Sequence, residues 1–146
     1  MTVTVSIPMD LPSVANKREF WAVKAKRVKA QRNAVTLALK PTLLREDLVW
    51  VSWADGSRVG GVRRVLTNDP LSPLVVTLTR VYAGRCRAYD SDNLVSAFKA
   101  VRDSVAACFG VDDADPRIRF VCAQERGAKA SKACVRLGFE VKTEAT

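Results

Sequence analysis

Histidine is absent from the chain. Its absence excludes a Ser-His-Asp triad, a Cys-His nucleophile pair, a histidine general base and a histidine-ligated zinc within this sequence. Hydrolytic chemistry, if the chain performs any, has to use carboxylates, lysine, tyrosine or a metal-bound water. Carboxylate oxygens as ligands favour the hard cations Mg²⁺ or Mn²⁺. Cysteine is sparse. Cys86, Cys108, Cys122 and Cys134 lie 22, 14 and 12 residues apart with no CxxC pair, which reads as reduced, mostly buried thiols and not as a disulfide frame or zinc site. No apolar run approaches the ~18 residues of a membrane helix. The opening residues MTVTVSIPMDLP have neither the basic n-region nor the apolar h-region of a signal peptide. The expectation is a cytoplasmic protein with no membrane partner.

Acidic residues are also in short supply, 15 against 24 Lys and Arg, leaving a formal charge of +9. Such an excess suits a nucleic acid or another polyanion. The length, 146 residues with 48% hydrophobic content, allows one domain with a single core and argues against wholesale disorder.

Residues 2–7, TVTVSI, alternate and are β-branched, which predicts a first strand closed by Pro8. A helix is expected over roughly 17–39, with Trp21, Ala25, Val28, Val35 and Leu39 as its apolar stripe, Arg32 interrupting it, and Pro41 ending it. LVWVSW (48–53) and Val59–Leu66 flank Asp55-Gly56, a hairpin signal. After a Pro-containing loop over 68–73, LVVTLTRVY (74–82) predicts a strand. A second helix is expected over about 92–109, stopped by a C′ glycine at Gly110, followed by strands over 117–123 and 135–141. The fold class expected is α+β, a small mixed sheet packed with two main helices.

The acids that are present cluster. Asp90, Asp92, Asp112, Asp113 and Asp115 stand at the two ends of the second predicted helix. Carboxylates that hold a divalent cation, inside a basic protein that holds phosphates, make a nuclease the first hypothesis. Capping explains Asp90 and Asp92 in part, but negative charge past Gly110 opposes the helix dipole. Over 18 residues that helix is about 27 Å long, so the two acidic groups meet only if the loop after Gly110 folds back beside it. On the wheel, Leu94, Ala97, Phe98, Val101, Val105, Cys108 and Phe109 form the buried stripe, and Asp92, Ser96, Lys99 and Asp103 the opposite face. Lys99 and Asp103 are spaced for a surface i,i+4 pair.

Asp90-Ser-Asp-Asn93, a lysine and an aspartate in the following helix, and then Gly-Val-Asp-Asp before a strand resemble the RusA-type Holliday junction resolvases, small dimeric endonucleases common in bacteriophages and prophages. The resemblance covers Tyr89 to about Arg126, and the N-terminal region loosely. It implies that Asp90, Asp92 and Asp113 are metal-binding catalytic aspartates, that Lys99 is the counterpart of the family's catalytic lysine, and that the chain acts as a homodimer. It further implies Mg²⁺-dependent paired nicking of four-way DNA junctions in recombination and repair, in a bacterial cytoplasm, with phage and prophage genes as the family's common source. The pattern departs from the family's at one point: Ser96 occupies the usual lysine position, and Lys99 and Asp103 keep their mutual spacing three residues later.

Supporting roles follow. Asn93 is expected to orient a carboxylate or cap the helix, Asp112 and Asp115 to support the site or stand in solvent, and Asp103 to pair with Lys99. Lys17, Arg18, Lys24, Lys26, Arg27, Lys29 and Arg32, with Arg85 and Arg87 on a predicted strand, are the candidate phosphate contacts. Trp21, Trp50 and Trp53 are assigned to core or interface in preference to base stacking. Two other readings stay open: a metal-dependent nuclease for flaps or other branched DNA, and a basic DNA-binding protein whose acids only cap a helix.

Overall fold

Alternation along Thr2–Ile7 puts Val3 and Ile7 into the core and leaves Thr4 and Ser6 in solvent, forming strand β1. The computed structural model describes residues 2–13, 20–43, 50–51, 58–59, 74–84, 86–116, 118–128 and 132–141. After β1 come helix α1 (Trp21–Leu43), the short strands β2 (Trp50–Val51) and β3 (Arg58–Val59), β4 (Leu74–Tyr82), α2 (Ser91–Ala97), α3 (Lys99–Cys108), β5 (Ile118–Arg126) and β6 (Cys134–Val141). The class is α+β, as expected. Lys17, Arg18, Arg85, Trp53, the Asp55-Gly56 turn and the 68–73 loop lie outside the described residues.

Four strands make one mixed sheet in the order β1-β6-β4-β5. β6 runs antiparallel to both β1 and β4, whereas β4 and β5 are parallel, Leu74 opposite Ile118 through Tyr82 opposite Arg126. A parallel pair needs a crossover, and α2–α3 supplies it. Leu74, Val76 and Leu78 of β4 join Val135, Leu137 and Phe139 of β6 in the core under the helices. Val75 and Val81, on the other side of β4, are buried too, which marks β4 as the central strand. β5 pairs with β4 alone among the described residues and forms one edge of the sheet. β2 and β3 pair antiparallel, Trp50 opposite Val59 and Val51 opposite Arg58.

The structure corrects three expectations. The first concerns α1, which buries only its C-terminal half. Gln31, Val35 and Leu39 are buried, but Trp21 is 75% exposed and Ala25 is also in solvent. The predicted stripe fails because α1 packs on α3 and β1, which lie beneath its later turns only. Second, Pro41 lies inside α1. In the last turn of a helix a proline forfeits one hydrogen bond and faces solvent, so the chain continues to Leu43.

The third correction is that the single helix expected over 92–109 is two. Phe98 sits between α2 and α3 with φ −86° and ψ −1°, in the bridge region, and its N–H is shared between the carbonyls of Leu94 and Val95. No glycine or proline marks the break. Phe98 is fully buried, and its ring sits in the core at the joint. The expected apolar stripe is otherwise present: Leu94, Ala97, Val101, Val105 and Phe109 are buried and Cys108 is half-buried. At the C-terminus of α3, Gly110 takes φ 72°. The Gly110 N–H bonds the Ala107 carbonyl and the Val111 N–H bonds that of Ala106, the paired pattern of a Schellman cap. Phe98→Ala is expected to destabilise the domain by about 3–5 kcal/mol, measured by urea unfolding, while Phe98→Leu retains most of that stability.

Candidate nucleic-acid and acidic site

A knot at the end of β4 delivers the chain into α2. Arg80 is 4% exposed and has no carboxylate partner among the described residues. Its guanidinium lies 3.6 Å from the centre of the Tyr89 ring and 4.7 Å from that of Tyr82, and its Nη1 donates to the Arg87 carbonyl at 3.2 Å. Stacking on two aromatic faces offsets the desolvation of this charge. Gln124 of β5 then grips Tyr89 at two points. Its Oε1 accepts from the Tyr89 N–H at 2.9 Å, and its Nε2 donates to the Tyr89 carbonyl at 2.6 Å. The Tyr89 hydroxyl donates to the Leu11 carbonyl at 2.7 Å. Nothing in the spacing of these residues announces the knot, because its members come from three separate segments.

One residue later, Asp90 caps α2. Its Oδ1 accepts from the Asn93 N–H at 2.8 Å and its Oδ2 from the Asn93 Nδ2 at 2.9 Å, so Asn93 orients the carboxylate. The Ser13 hydroxyl donates to the Asn93 Oδ1 at 3.5 Å, which ties the chain after β1 to the same point. Asp92 is exposed in the first turn. Arg87 is exposed nearby.

Asp113 is held elsewhere. The turn at Gly110 reverses the chain, and Asp113 comes back alongside α3 to meet Arg102 Nε at 3.0 Å and Lys99 Nζ at 3.6 Å. Lys99 also reaches Asp103 at 3.2 Å, the i,i+4 contact that the spacing suggested, and Arg32 of α1 approaches Asp103 at 3.6 Å. Asp112 is exposed and caps a turn by accepting from the Ala114 N–H. A hydrogen bond with Asp112, followed by the charges of Lys99 and Arg102, holds the Asp113 carboxyl below the ordinary aspartate range despite partial burial. Burial pushes the Cys108 and Cys122 thiols up, so they stay protonated at neutral pH.

The loop therefore folds back, but only as far as Lys99 and Arg102. The nine residues from Asp90 to Lys99 represent roughly 13 Å of helix. Oxygen donors of this kind suit a hard divalent cation. Among the described residues, however, no three acids or thiols are gathered so that they could hold one. Asp113 thus stands apart from Asp90 and Asp92, held by Lys99 and Arg102.

Basic residues are better assembled than the acids. A cleft of about 330 Å³ opens between α1 and the α2–α3 pair, lined by Lys24, Arg27 and Arg32 on one wall and by Ser96, Lys99 and Asp103 on the other, with Gln31 and Val28 among the remaining residues. Lys26 and Lys29 are exposed on the same helix. No helix among the described residues is long and apolar enough to cross a membrane. No family model matches the chain, and no curated protein matches it.

Two measurements check this geometry. Gln124→Leu keeps the side chain's bulk but strands the Tyr89 N–H and carbonyl, and is expected to lower stability by about 1–3 kcal/mol in chemical denaturation. The lowered Asp113 pKa makes this group stabilising above the unfolded value of about 3.9, and that contribution is lost as pH falls through the lower folded value. In thermal melts, Asp113→Asn should therefore lower the melting temperature at neutral pH. The difference from wild type should vanish under acid conditions, below both pKa values.

Proposed function

We propose that this protein is a divalent-cation-dependent endodeoxyribonuclease that acts on branched DNA as a homodimer, with four-way junctions as its preferred substrate. The observation that carries the proposal is the cleft between α1 and α3, where a wall of cations faces a wall bearing Lys99 and Asp103. Phosphate binding and acid–base groups lie side by side there. Lys24, Arg27 and Arg32 neutralise backbone charge, so binding weakens as salt rises. Lys99 is drawn between Asp103 and Asp113, which positions its ammonium beside a phosphate held in the cleft. Asp90, Asp92 and Asp113 are the carboxylates assigned to Mg²⁺ or Mn²⁺ by the likeness to the RusA-type resolvases. When bound, such a cation supplies a more acidic water and offsets charge on the reacting phosphate.

A second reading, a basic DNA-binding protein that cuts nothing, is favoured by one observation, the separation of Asp113 from Asp90 and Asp92 along the crossover.

Titrating Mg²⁺ and Mn²⁺ against synthetic four-way, flap and linear duplex DNA separates the readings. Cleavage of the four-way junction with both metals is expected. Asp92 is exposed, so Asp92→Asn should fold normally. It should slow cutting by roughly 10²-fold or more, the scale on which loss of one preorganised charge-stabilising group acts. Binding without cleavage of any substrate under either metal selects the second reading. Faster cutting of flaps transfers the proposal to that substrate.

A further inference from the structure

Phe20, just before α1, and Trp21, its first residue, form an exposed aromatic pair, 67% and 75% accessible, with ring centroids 5.7 Å apart and planes inclined by 43°. The Phe20 carbonyl accepts from the N–H groups of Val23 and Lys24, which places Phe20 at the N-cap of α1 and Trp21 in its first turn. Steps of four, three and four carry Phe20 to Lys24, Arg27 and Gln31, and steps of three, four and four carry Trp21 to Lys24, Val28 and Arg32. All of these later residues line the cleft. The two rings therefore stand one turn beyond its end, on the same face. Val23, three residues from Phe20 and four before Arg27, borders the same face, while Leu37, the remaining exposed large apolar residue of α1, lies further round the helix.

Charge identifies what covers this face. From Trp21 to Leu43 the helix has six cations and no acid. A second copy presenting the same helix face would bring like charges together, and the one carboxylate lining the cleft, Asp103, is already engaged by Arg32 and Lys99. A polyanion meets no such repulsion. A ligand that carries both phosphates and flat apolar rings, and that exposes the rings, is an unpaired nucleic-acid strand. Base stacking on aromatic side chains beside a cationic track is how such strands are held. Gln31 adds an independent mark. It is 5% exposed among the residues that line the cleft, and its Oε1 has no hydrogen-bond partner among the described residues. A buried amide left in this state calls for a donor, and the amino or imino N–H of a base is one.

We infer that the α1 face is a binding site for unpaired DNA, in which Phe20 and Trp21 stack a base and Lys24, Arg27 and Arg32 hold the adjoining phosphates. The site extends the DNA-directed reading above but does not depend on cleavage. Binding of a labelled oligothymidine single strand is measured by fluorescence anisotropy in EDTA, across a salt series. Trp21→Ala should weaken binding between about 5- and 100-fold and leave the salt slope unchanged, while Trp21→Phe should restore most of the affinity. Lys24→Ala combined with Arg27→Ala should instead flatten the slope by about 0.7 per cation removed.

Unchanged affinity in both Trp21→Ala and Phe20→Ala overturns the inference. So does wild-type binding of a duplex as tight as that of the single strand. Tighter binding of oligouridine than of oligothymidine overturns the assignment to DNA. Sedimentation of the same variants provides a further check: loss of a dimer in Trp21→Ala, with oligothymidine binding intact, gives the face to a second copy of the chain. Single-strand binding that persists in a protein unable to cut any branched substrate leaves this site standing and removes the nuclease.

Discussion

Parallel pairing of β4 with β5 governs the layout of the molecule. Two consecutive parallel strands oblige the chain to travel back along the full length of the sheet between them, and α2–α3 is that return path. Whatever precedes the crossover lies at one end of the sheet and whatever follows it lies at the other. Asp90 and Asp92 belong to the first group, Asp112 and Asp113 to the second. Only the turn at Gly110 works against this separation, carrying Asp113 back to Arg102 and Lys99. The acids and bases of the middle of α3 consequently form their own cluster, joined to α1 through Arg32.

Because the crossover begins at a fixed place, the way it begins matters. The buried Arg80 is compensated by ring faces and carbonyl oxygens where a carboxylate would be the usual partner. That solution ties the end of β4, the approach to α2 and the end of β5 into one unit. Gln124, opposite Arg80 in the β4–β5 ladder, holds Tyr89 by both its N–H and its carbonyl. Asp90 is held rigidly as a result, two bonds from Asn93 fixing its carboxylate one residue after the knot.

How much of this the sequence discloses depends on the range over which each feature is determined. β1 and β4 are legible because alternation and β-branching are local, and both strands have the expected limits. The Gly110 cap and the Lys99–Asp103 pair are equally local. The break at Phe98 has no punctuating residue, since it answers to the core into which that ring must fit. Trp21 misled because helical periodicity says which residues share a side, not how far along that side a neighbour extends. The path of Asp113 and the burial of Arg80 depend on segments far apart in the chain, and no spacing encodes them.

β5 has one further consequence. Among the described residues it is paired on one side only, which leaves a row of backbone donors and acceptors along its other side, and Val121 is open to solvent there. Such an edge is a template on which a strand from another molecule can dock, the first step of ordered aggregation. Arg119, Glu125 and Arg126 are exposed along it, and Glu125 is engaged by Arg136 of β6 at 3.0 Å. An incoming apolar strand would have to desolvate these charges. Charge of both signs along this edge therefore guards the sheet against growing by one strand at a time.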